Sequence, residues 1–111
     1  MVVEASPDAK IVINRRRVII DLNEEAEFLF GYARGDLLGK PIEFLMPEEV
    51  RDRHVQHVAG FFKSPRRREM GVGMELQGIN RDKEKFAVTI RLAPIVIEGE
   101  GGGVFGLAVV R

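Results

Sequence analysis

The sequence predicts an α+β domain, with five antiparallel strands and short helices on one face of the sheet. The order of the patterns carries this prediction: two β-branched segments come first, then three or four helical segments, then three segments with the two-residue period of strands. The last three strands follow one another through turns, which is how antiparallel neighbours are connected. Separate runs of strands and of helices are typical of the α+β class.

The chain begins with a predicted β-hairpin and a capped helix. Lys10–Asn14 and Arg17–Leu22 are β-branched runs separated by basic residues, a pattern that predicts two strands joined by a tight turn. Either Asp21 or Asn23 can cap the helix that follows, which covers roughly Glu24–Phe30.

Glycines and prolines divide the middle of the chain. Gly31 is expected to end the first helix, and Gly39 to end a short turn over Arg34–Leu38. A connector over Pro41–Leu45 then leads into the longest predicted helix, Pro47–Phe62. That helix begins with proline at its first position, where the missing N–H has no intrahelical partner to lose.

The predicted long helix has one apolar face with a histidine in its middle. The residues that recur on this face at helical spacing are Val50, His54, His57 or Val58, and Phe61. The other face is largely charged or polar, so the helix is amphipathic and closes a core.

From Met70 onwards the pattern changes to the alternation of strands. Met70–Gln77 and Lys85–Leu92 alternate between apolar and other residues, with a turn over Asn80–Glu84. A glycine-rich turn over Gly99–Gly103 precedes the last strand, Val104–Val110.

Both faces of the last strand are apolar, which predicts a central position in the sheet. The helices are too few to cover both faces of that sheet. We therefore expect one face to meet another chain or a flanking helix, and the candidate residues for this contact are Phe105, Leu107 and Val109.

The composition excludes several classes of protein. The chain has 111 residues, 45% hydrophobic and 31% charged, which fits one globular domain. Its 17 basic and 17 acidic residues balance, which argues against a nucleic-acid or membrane-surface binder. No apolar run approaches the roughly 18 residues of a membrane span. Without cysteine or a signal peptide, the cytoplasm is the expected compartment.

Two basic clusters and the hydroxyl residues carry no predicted chemistry. Arg15–Arg17 and Lys63–Arg68 lie in predicted turns without interleaved aromatic residues, so we interpret them as solvated turns. Ser6 and Ser64 each precede a proline, and neither has a predicted histidine neighbour to act as a base. The sequence therefore does not predict an enzyme.

Six segments together resemble the PAS sensory domains, in order and over nearly the whole chain. They are EASPDAKIVIN, DLNEEAEFLFGY, RGDLLGKPIEFLMPEEVRDRH, HVAGFF, RREMGVGMELQGINRDKEKFAVTIRLAPI and GLAVVR. The resemblance implies a five-stranded antiparallel sheet of order 2-1-5-4-3, with short helices and one longer connecting helix on one face. It also implies a single PAS domain over residues 1–111, excised from a larger signalling protein. The turn over Asn80–Glu84 departs from the family because it lacks the Asp-Gly that relatives often carry.

The resemblance also implies candidates for a ligand. In haem-binding relatives a histidine on the long helix, in a segment like LMPxxxRxxH, binds the iron, and His54 is similar in position. Oxygen-sensing relatives often place an arginine on the opposite strand, where this sequence has Met74; Met70 or Met74 could instead act as a thioether ligand. The alternative for His54 is a buried histidine bonded to nearby backbone. His54 and His57 could share a metal on one helix face, but no third ligand is evident.

A small organic ligand in the cup formed by the sheet and the helices is the broader hypothesis, with His54 or Gln56 as its polar anchor. The expected lining is Phe28, Phe44, Leu45, Val58, Phe61, Met70, Val72, Met74, Phe86 and Val88. The alternative is a core packed shut by these same side chains. A flavin or coumaroyl chromophore linked to cysteine is excluded because the chain has no cysteine, and no phosphate-binding loop supports a non-covalent flavin.

Three functions therefore stay open at this stage. The leading one is a cytoplasmic sensory module that binds a small ligand, forms a homodimer, or does both, and thereby controls an attached histidine kinase, cyclase or transcription regulator. The second is a haem-based gas or redox sensor with His54 as the iron ligand. The third is a dimerisation module with no ligand.

Overall fold

The computed structural model describes residues 8–52, 55, 60, 62–63, 68–70, 76–97 and 103–110. Its strands are β1 (Ala9–Ile13), β2 (Ile19–Leu22), β3 (Arg68–Met70), β4 (Leu76–Ile79), β5 (Lys85–Val88), β6 (Ile90–Ile97) and β7 (Gly103–Val110). Its helices are α1 (Glu24–Phe30) and α2 (Arg34–Leu37), with 3-10 helices at Ile42–Leu45 and Glu48–Val50. Residues 51, 52, 55, 60, 62 and 63 are also helical.

The main sheet has five antiparallel strands in the order β2-β1-β7-β6-β3. This is the strand order that the family resemblance implies, so the predicted fold class is confirmed. The last strand of the chain, β7, lies at the centre as its two apolar faces predicted. Ala108 of β7 has Ile11 opposite it on one side and Leu92 opposite it on the other.

The strand predicted over 85–92 is interrupted at Thr89, which corrects the prediction, whereas residues 71–75 of the strand predicted over 70–77 lie outside the described residues. β4 and β5 pair only with each other and form a separate two-stranded sheet. Met70 lies opposite Ile90 and Leu76 lies opposite Val88, so Thr89 separates the β3–β6 ladder from the β4–β5 ladder.

Helix α1 has the predicted ends. Asn23 rather than Asp21 is its N-cap: Asn23 Oδ1 accepts hydrogen bonds from Ala26 N (3.1 Å) and from Lys10 N (2.9 Å). Asp21 instead forms an ion pair with Arg34, the first residue of α2. Gly31 ends the helix in the left-handed conformation with φ 75°, as glycine does most easily.

The region after α2 differs in detail from the prediction. The connector predicted over Pro41–Leu45 contains a 3-10 helix, and Pro47 precedes helical structure instead of being its first residue. Pro47 has an extended ψ of 144°, and its carbonyl accepts a hydrogen bond from Val50 N (3.2 Å). Of the predicted helix over 47–62, the part from 53 to 61 lies outside the described residues apart from residues 55 and 60.

The core lies between the inner face of the main sheet and the helices. Its buried apolar side chains are Ala9, Ile11, Ile13, Ile19, Leu22, Ala26, Phe30, Leu37, Ile42, Leu45, Phe62, Val88, Leu92, Ala108 and Val110. Within the part of the chain that the structure describes, no helix is long and apolar enough to cross a membrane.

Candidate functional site

A cavity of about 50 Å³ lies inside the core, between the inner face of the main sheet and the elements that cover it. The sheet side of its lining comprises Ile11, Ile13, Ile90, Leu92, Ala108 and Val110. The covering side comprises Phe30, Ile42, Leu45, Met46, Gln77, Gly78 and Val88. The lining is almost entirely apolar, so the cavity suits an apolar group and is unfavourable for an isolated water molecule.

The floor of the cavity has space because its central residue is small. Ala108 contributes one methyl group, and its neighbours across the two ladders are Ile11 and Leu92. All three side chains line the cavity. A larger side chain at residue 108 would therefore extend towards the covering elements.

Two aromatic rings and a glycine form part of the covering wall. The rings of Phe30 on α1 and Phe86 on β5 lie 5.6 Å apart between centroids, tilted by 50°. Gly78 on β4 is directly opposite Phe86 in the ladder. A Cβ on Gly78 would lie 3.1 Å from Phe30 Cε1 and 3.1 Å from Phe86 Cζ. The absence of a side chain at Gly78 is what lets the two rings close together over the core.

The 3-10 helix at Ile42–Leu45 supplies a second part of the wall, and it is held against the turn between β1 and β2. Ile42 N donates a hydrogen bond to Arg17 O (2.7 Å). The Glu43 carboxylate is buried and forms an ion pair with Arg17 Nε at 2.9 Å. Ile42 and Leu45 are thereby positioned to face the sheet across the cavity.

An ion pair joins the second 3-10 helix to β5 at the protein surface. Lys85 Nζ lies 2.7 Å from Glu49 Oε1, and both side chains are largely exposed. The hydrogen bond from Lys85 is the main cause that lowers the pKa of Glu49, with a backbone hydrogen bond second. The pair therefore links two elements of the covering wall by charge.

The structure places the predicted lining residues on different surfaces. Val88 and Leu45 line the cavity, and Phe86 is half-buried against Phe30. Phe44 packs instead on Tyr32, at 5.4 Å between ring centroids, and is not part of the cavity lining. The inclusion of Phe28 was wrong, since its side chain is 72% exposed.

Several predicted site residues cannot be placed. His54, Val58, Phe61, Val72 and Met74 lie outside the described residues, and Met70 is described only by its position in β3. The hypothesis that His54 binds an iron therefore stays a prediction. Among the residues that the structure does describe, no group of three or more His, Cys, Asp or Glu side chains could hold a metal ion.

The sequence analysis missed the floor of the cavity, although the sequence carries a signal for it. Ile90 and Leu92 continue the alternation that begins at Phe86 and Val88, and Ile11 and Ile13 alternate in the same way on β1. Residues of one parity on a strand share a face. The residues on the inward face of each predicted strand therefore include most of those that form the floor of the cavity.

The opposite face of the main sheet carries the predicted contact residues. Phe105, Leu107 and Val109 are half-buried, whereas Gly106, Ala108 and Val110 on the other face of β7 are buried. Leu107 lies opposite Val12 on β1 and opposite Ala93 on β6. Phe105, Leu107 and Val109 thus form a half-buried apolar strip along β7 on this outer face, whereas Val12, opposite Leu107, is itself fully buried.

The chain matches the family model for the PAS fold over residues 2–108, so it belongs to the PAS family of sensory domains. It is 30% identical over 101 residues to the "Oxygen sensor protein DosP" of Escherichia coli strain K12, which is 91% of this chain and 12% of that protein. It is 30% identical over 94 residues to the "Sensor protein FixL" of Bradyrhizobium diazoefficiens, which is 85% of this chain and 19% of that protein. Among solved structures, the PAS domain of an HTR-like protein from Haloarcula marismortui superposes with a TM-score of 0.78 at 24% identity, covering 96% of this chain and 82% of that one.

These similarities define a sensory signal-transduction module. The chain spans 12% and 19% of the lengths of the two curated relatives, so it corresponds to one part of each. The similarity to the solved structure, at 24% identity, concerns the fold.

Proposed function

We propose that this PAS module is a cytoplasmic sensor of a small apolar ligand that binds in the central cavity, and that it passes the occupancy of that cavity to an attached effector domain. In this proposal the module has no catalytic role of its own. The observation that carries the proposal is the position of the cavity, whose lining includes residues of α1, β1, β4, β5, β6 and β7.

This position makes the cavity a suitable sensor. Ala108 and Val110 lie on the central strand, and Phe30 and Gly78 lie on the covering elements, so a ligand would contact both layers at once. A ligand changes a conformational equilibrium only by binding one arrangement more tightly than another. A site between two layers meets this condition, because any change in their separation changes its contacts.

The volume of the cavity limits what it can hold in this arrangement. About 50 Å³ is well below the roughly 300–1,000 Å³ of pockets for drug-sized ligands and cofactors. It is also below the roughly 150 Å³ of a dry protein cavity that binds benzene. Binding of an organic ligand therefore requires a second arrangement, in which the layers stand further apart.

Native mass spectrometry of the purified chain tests this proposal. We expect the unsubstituted chain to carry the extra mass of a bound ligand. We expect Val88→Phe to lose that mass, because the phenyl ring would fill the cavity that Val88 lines. Ala87→Phe is the matched control, since Ala87 is exposed on the same strand. Bare sequence mass for the unsubstituted chain, or extra mass that Val88→Phe retains, would contradict a ligand in this cavity and favour the interaction module.

Haem-based oxygen sensing is the second candidate, favoured by the 30% identity to a protein named as an oxygen sensor. Oxygen binding needs a metal centre, and His54 is the residue we propose as the iron ligand. Haem does not fit a cavity of about 50 Å³, so this candidate also requires the layers to separate. The absorption spectrum of protein expressed with a haem precursor tests it: a Soret band that His54→Ala alters and His57→Ala leaves unchanged would support haem, and a colourless protein would exclude it.

We also propose that the outer face of the sheet is the dimer interface. The apolar strip of Phe105, Leu107 and Val109 is only half-buried within one chain. Leu107→Glu should convert a dimer into a monomer in light scattering coupled to size exclusion. Val96→Glu is the control, because Val96 is also apolar and is 74% exposed. Its neighbour Ile95 lies opposite Phe105 on the outer face, so Val96 lies on the other face of the sheet. An equal effect of both substitutions, or none from Leu107→Glu, would contradict this interface.

A further inference from the structure

Helix α1 and the hairpin of β4 and β5 are fastened to each other. Arg81 N, in the hairpin turn, donates a hydrogen bond to Phe30 O at the end of α1 (3.0 Å). The rings of Phe30 and Phe86 pack at 5.6 Å between centroids, and both lie against Gly78, which has no side chain to separate them. We call α1 together with residues 76–88 the flap.

The hairpin of the flap meets the main sheet through one residue of the described chain. The hairpin is continuous with β6 through Thr89, which is exposed and belongs to neither ladder. The strand on the other side of the hairpin reaches β3 through residues 71–75, which lie outside the described part of the chain. Among the described residues, β4 and β5 form a two-stranded sheet that is separate from the main sheet.

The start of α1 is attached to β1 through both the backbone and the side chain of Asn23, whose N–H donates a hydrogen bond to Lys10 O (3.1 Å). Besides capping the helix, Asn23 Oδ1 accepts a hydrogen bond from Lys10 N (2.9 Å), and Asn23 Nδ2 donates one to Asp8 O (2.8 Å). Asn23 is only 2% exposed. The flap therefore has two fixed margins, at Asn23 and at Thr89.

The cavity lies between the flap and the main sheet. Phe30, Gly78 and Val88 line it from the flap, and Leu92 and Ala108 line it from the sheet. A group that needs more than the present 50 Å³ must push these two walls apart, because side chains in a close-packed core cannot simply compress.

We propose that the flap moves as one body, swinging away from the main sheet about Asn23 and Thr89 when the cavity is filled. This inference rests on the proposed function, because it describes how the sensor would register its ligand. The motion would extend beyond the flap: Asn23 Nδ2 donates a hydrogen bond to Asp8 O, so rotation of α1 changes the position of Asp8, just before β1. Hinges of this kind are a few residues at the ends of elements that absorb the change in backbone angles.

The experiment replaces the ligand by a larger side chain on the floor of the cavity. Ala108→Leu adds bulk beneath the flap, and Ala93→Leu makes the same change on β6 opposite Leu107, on the outer face of the sheet. Because the chain has no cysteine, pairs of cysteines can carry spin labels at chosen exposed sites. One pair, Glu25→Cys with Asp82→Cys, lies within the flap; the other, Arg16→Cys with Asp82→Cys, joins the flap to the β1–β2 turn.

Electron–electron resonance distances then decide the question. In Ala108→Leu we expect the distance between labels 16 and 82 to increase and the distance between labels 25 and 82 to stay the same. In Ala93→Leu we expect both distances to stay the same. An unchanged 16–82 distance, or a changed 25–82 distance, in a folded Ala108→Leu chain would overturn the proposal. If circular dichroism shows that Ala108→Leu does not fold, the smaller Ala108→Val takes the same test. No ligand is used, so the result does not depend on whether a ligand is found.

Discussion

Gly78 lies directly opposite Phe86 in the β4–β5 ladder, and the ring of Phe86 occupies the space where a side chain of residue 78 would lie. A methyl group there would come within 3.1–3.2 Å of atoms of both Phe30 and Phe86. We expect Gly78→Ala to lower the free energy of unfolding by about 1–3 kcal/mol, because overpacking forces both rings to shift.

Urea unfolding measures this change, and Gly35→Ala is its control. No heavy atom lies within 4 Å of a Cβ built at Gly35 in α2. Alanine there should be neutral or stabilising by about 0.5–1 kcal/mol, as in other helix interiors. Equal effects at the two glycines would show that the rings are not held together as the structure has them.

Asn23→Ala removes three hydrogen bonds: those from Ala26 N and Lys10 N to Oδ1, and that from Nδ2 to Asp8 O. The loss of a helix cap together with an unsatisfied buried N–H should lower the free energy of unfolding by about 2–4 kcal/mol. Asn80→Ala provides the comparison, since Asn80 accepts from Asp82 N and Glu84 N in an exposed turn. We expect about 1 kcal/mol or less there; a similar loss at both positions in chemical unfolding would contradict the special role of Asn23.

The ion pair of Glu49 and Lys85 should stabilise the fold only above acid pH. The pKa of Glu49 is lowered in the folded chain from an ordinary value of 4.5, so at acid pH the unfolded chain binds more protons. The stabilisation is therefore complete above about pH 4.5 and is lost as the pH falls through the lowered pKa. Both side chains are exposed, so the effect is small and weakens with salt.

Thermal unfolding of Glu49→Gln at two pH values checks this dependence. We expect a lower midpoint than that of the unsubstituted chain at neutral pH, and no difference in acid well below pH 4.5. Glu48→Gln is the neighbouring control, because Glu48 is exposed and Lys85 bonds Glu49 instead. A difference for Glu49→Gln that persists unchanged in acid would show that charge is not its cause.

Phe28 and Phe30 are two residues apart on α1 and have opposite environments. Phe30 is 3% exposed and Phe28 is 72% exposed. Phe30→Ala should lower the free energy of unfolding by about 3–5 kcal/mol, whereas Phe28→Ala should stay within about 0.5 kcal/mol. Guanidinium unfolding distinguishes them, and a large effect of Phe28→Ala would mean that its ring is covered in solution.

The sequence was sufficient for the features that depend on neighbours along the chain. Gly31 and the turn at Asn80 follow from local hydrogen bonding and backbone preference, and the structure has them where the sequence predicts. The cap of α1 is Asn23, one of the two residues, with Asp21, that the sequence left open. The exposure of Phe28 could also have been predicted from the sequence, because two residues advance a helix by more than half a turn and Phe30 is expected to be buried. Phe28 was nonetheless assigned to the lining, and the helical period was the better guide.

The remaining features depend on contacts between distant segments, which periodicity does not report. The interruption at Thr89 separates the pairing of β3 with β6 from that of β4 with β5, and recognising it requires the register of both strand pairs. The position of Phe44 on Tyr32 instead of in the cavity likewise depends on how the 3-10 helix is rotated. The strand order of the main sheet came from the family resemblance, and the role of His54 stays a prediction.

The central position of β7 also determines how late the sheet can form. Ile11 and its partner Ala108 are separated by nearly the whole chain, and β1 and β6 both use β7 as a neighbour. Until residues 103–110 have been synthesised, each of those strands has an edge without that neighbour, and unpaired edges favour aggregation. Pairing between such distant segments is intrinsically slow. A nascent chain paused before Gly103 would therefore depend on chaperones during synthesis, however stable the finished domain is.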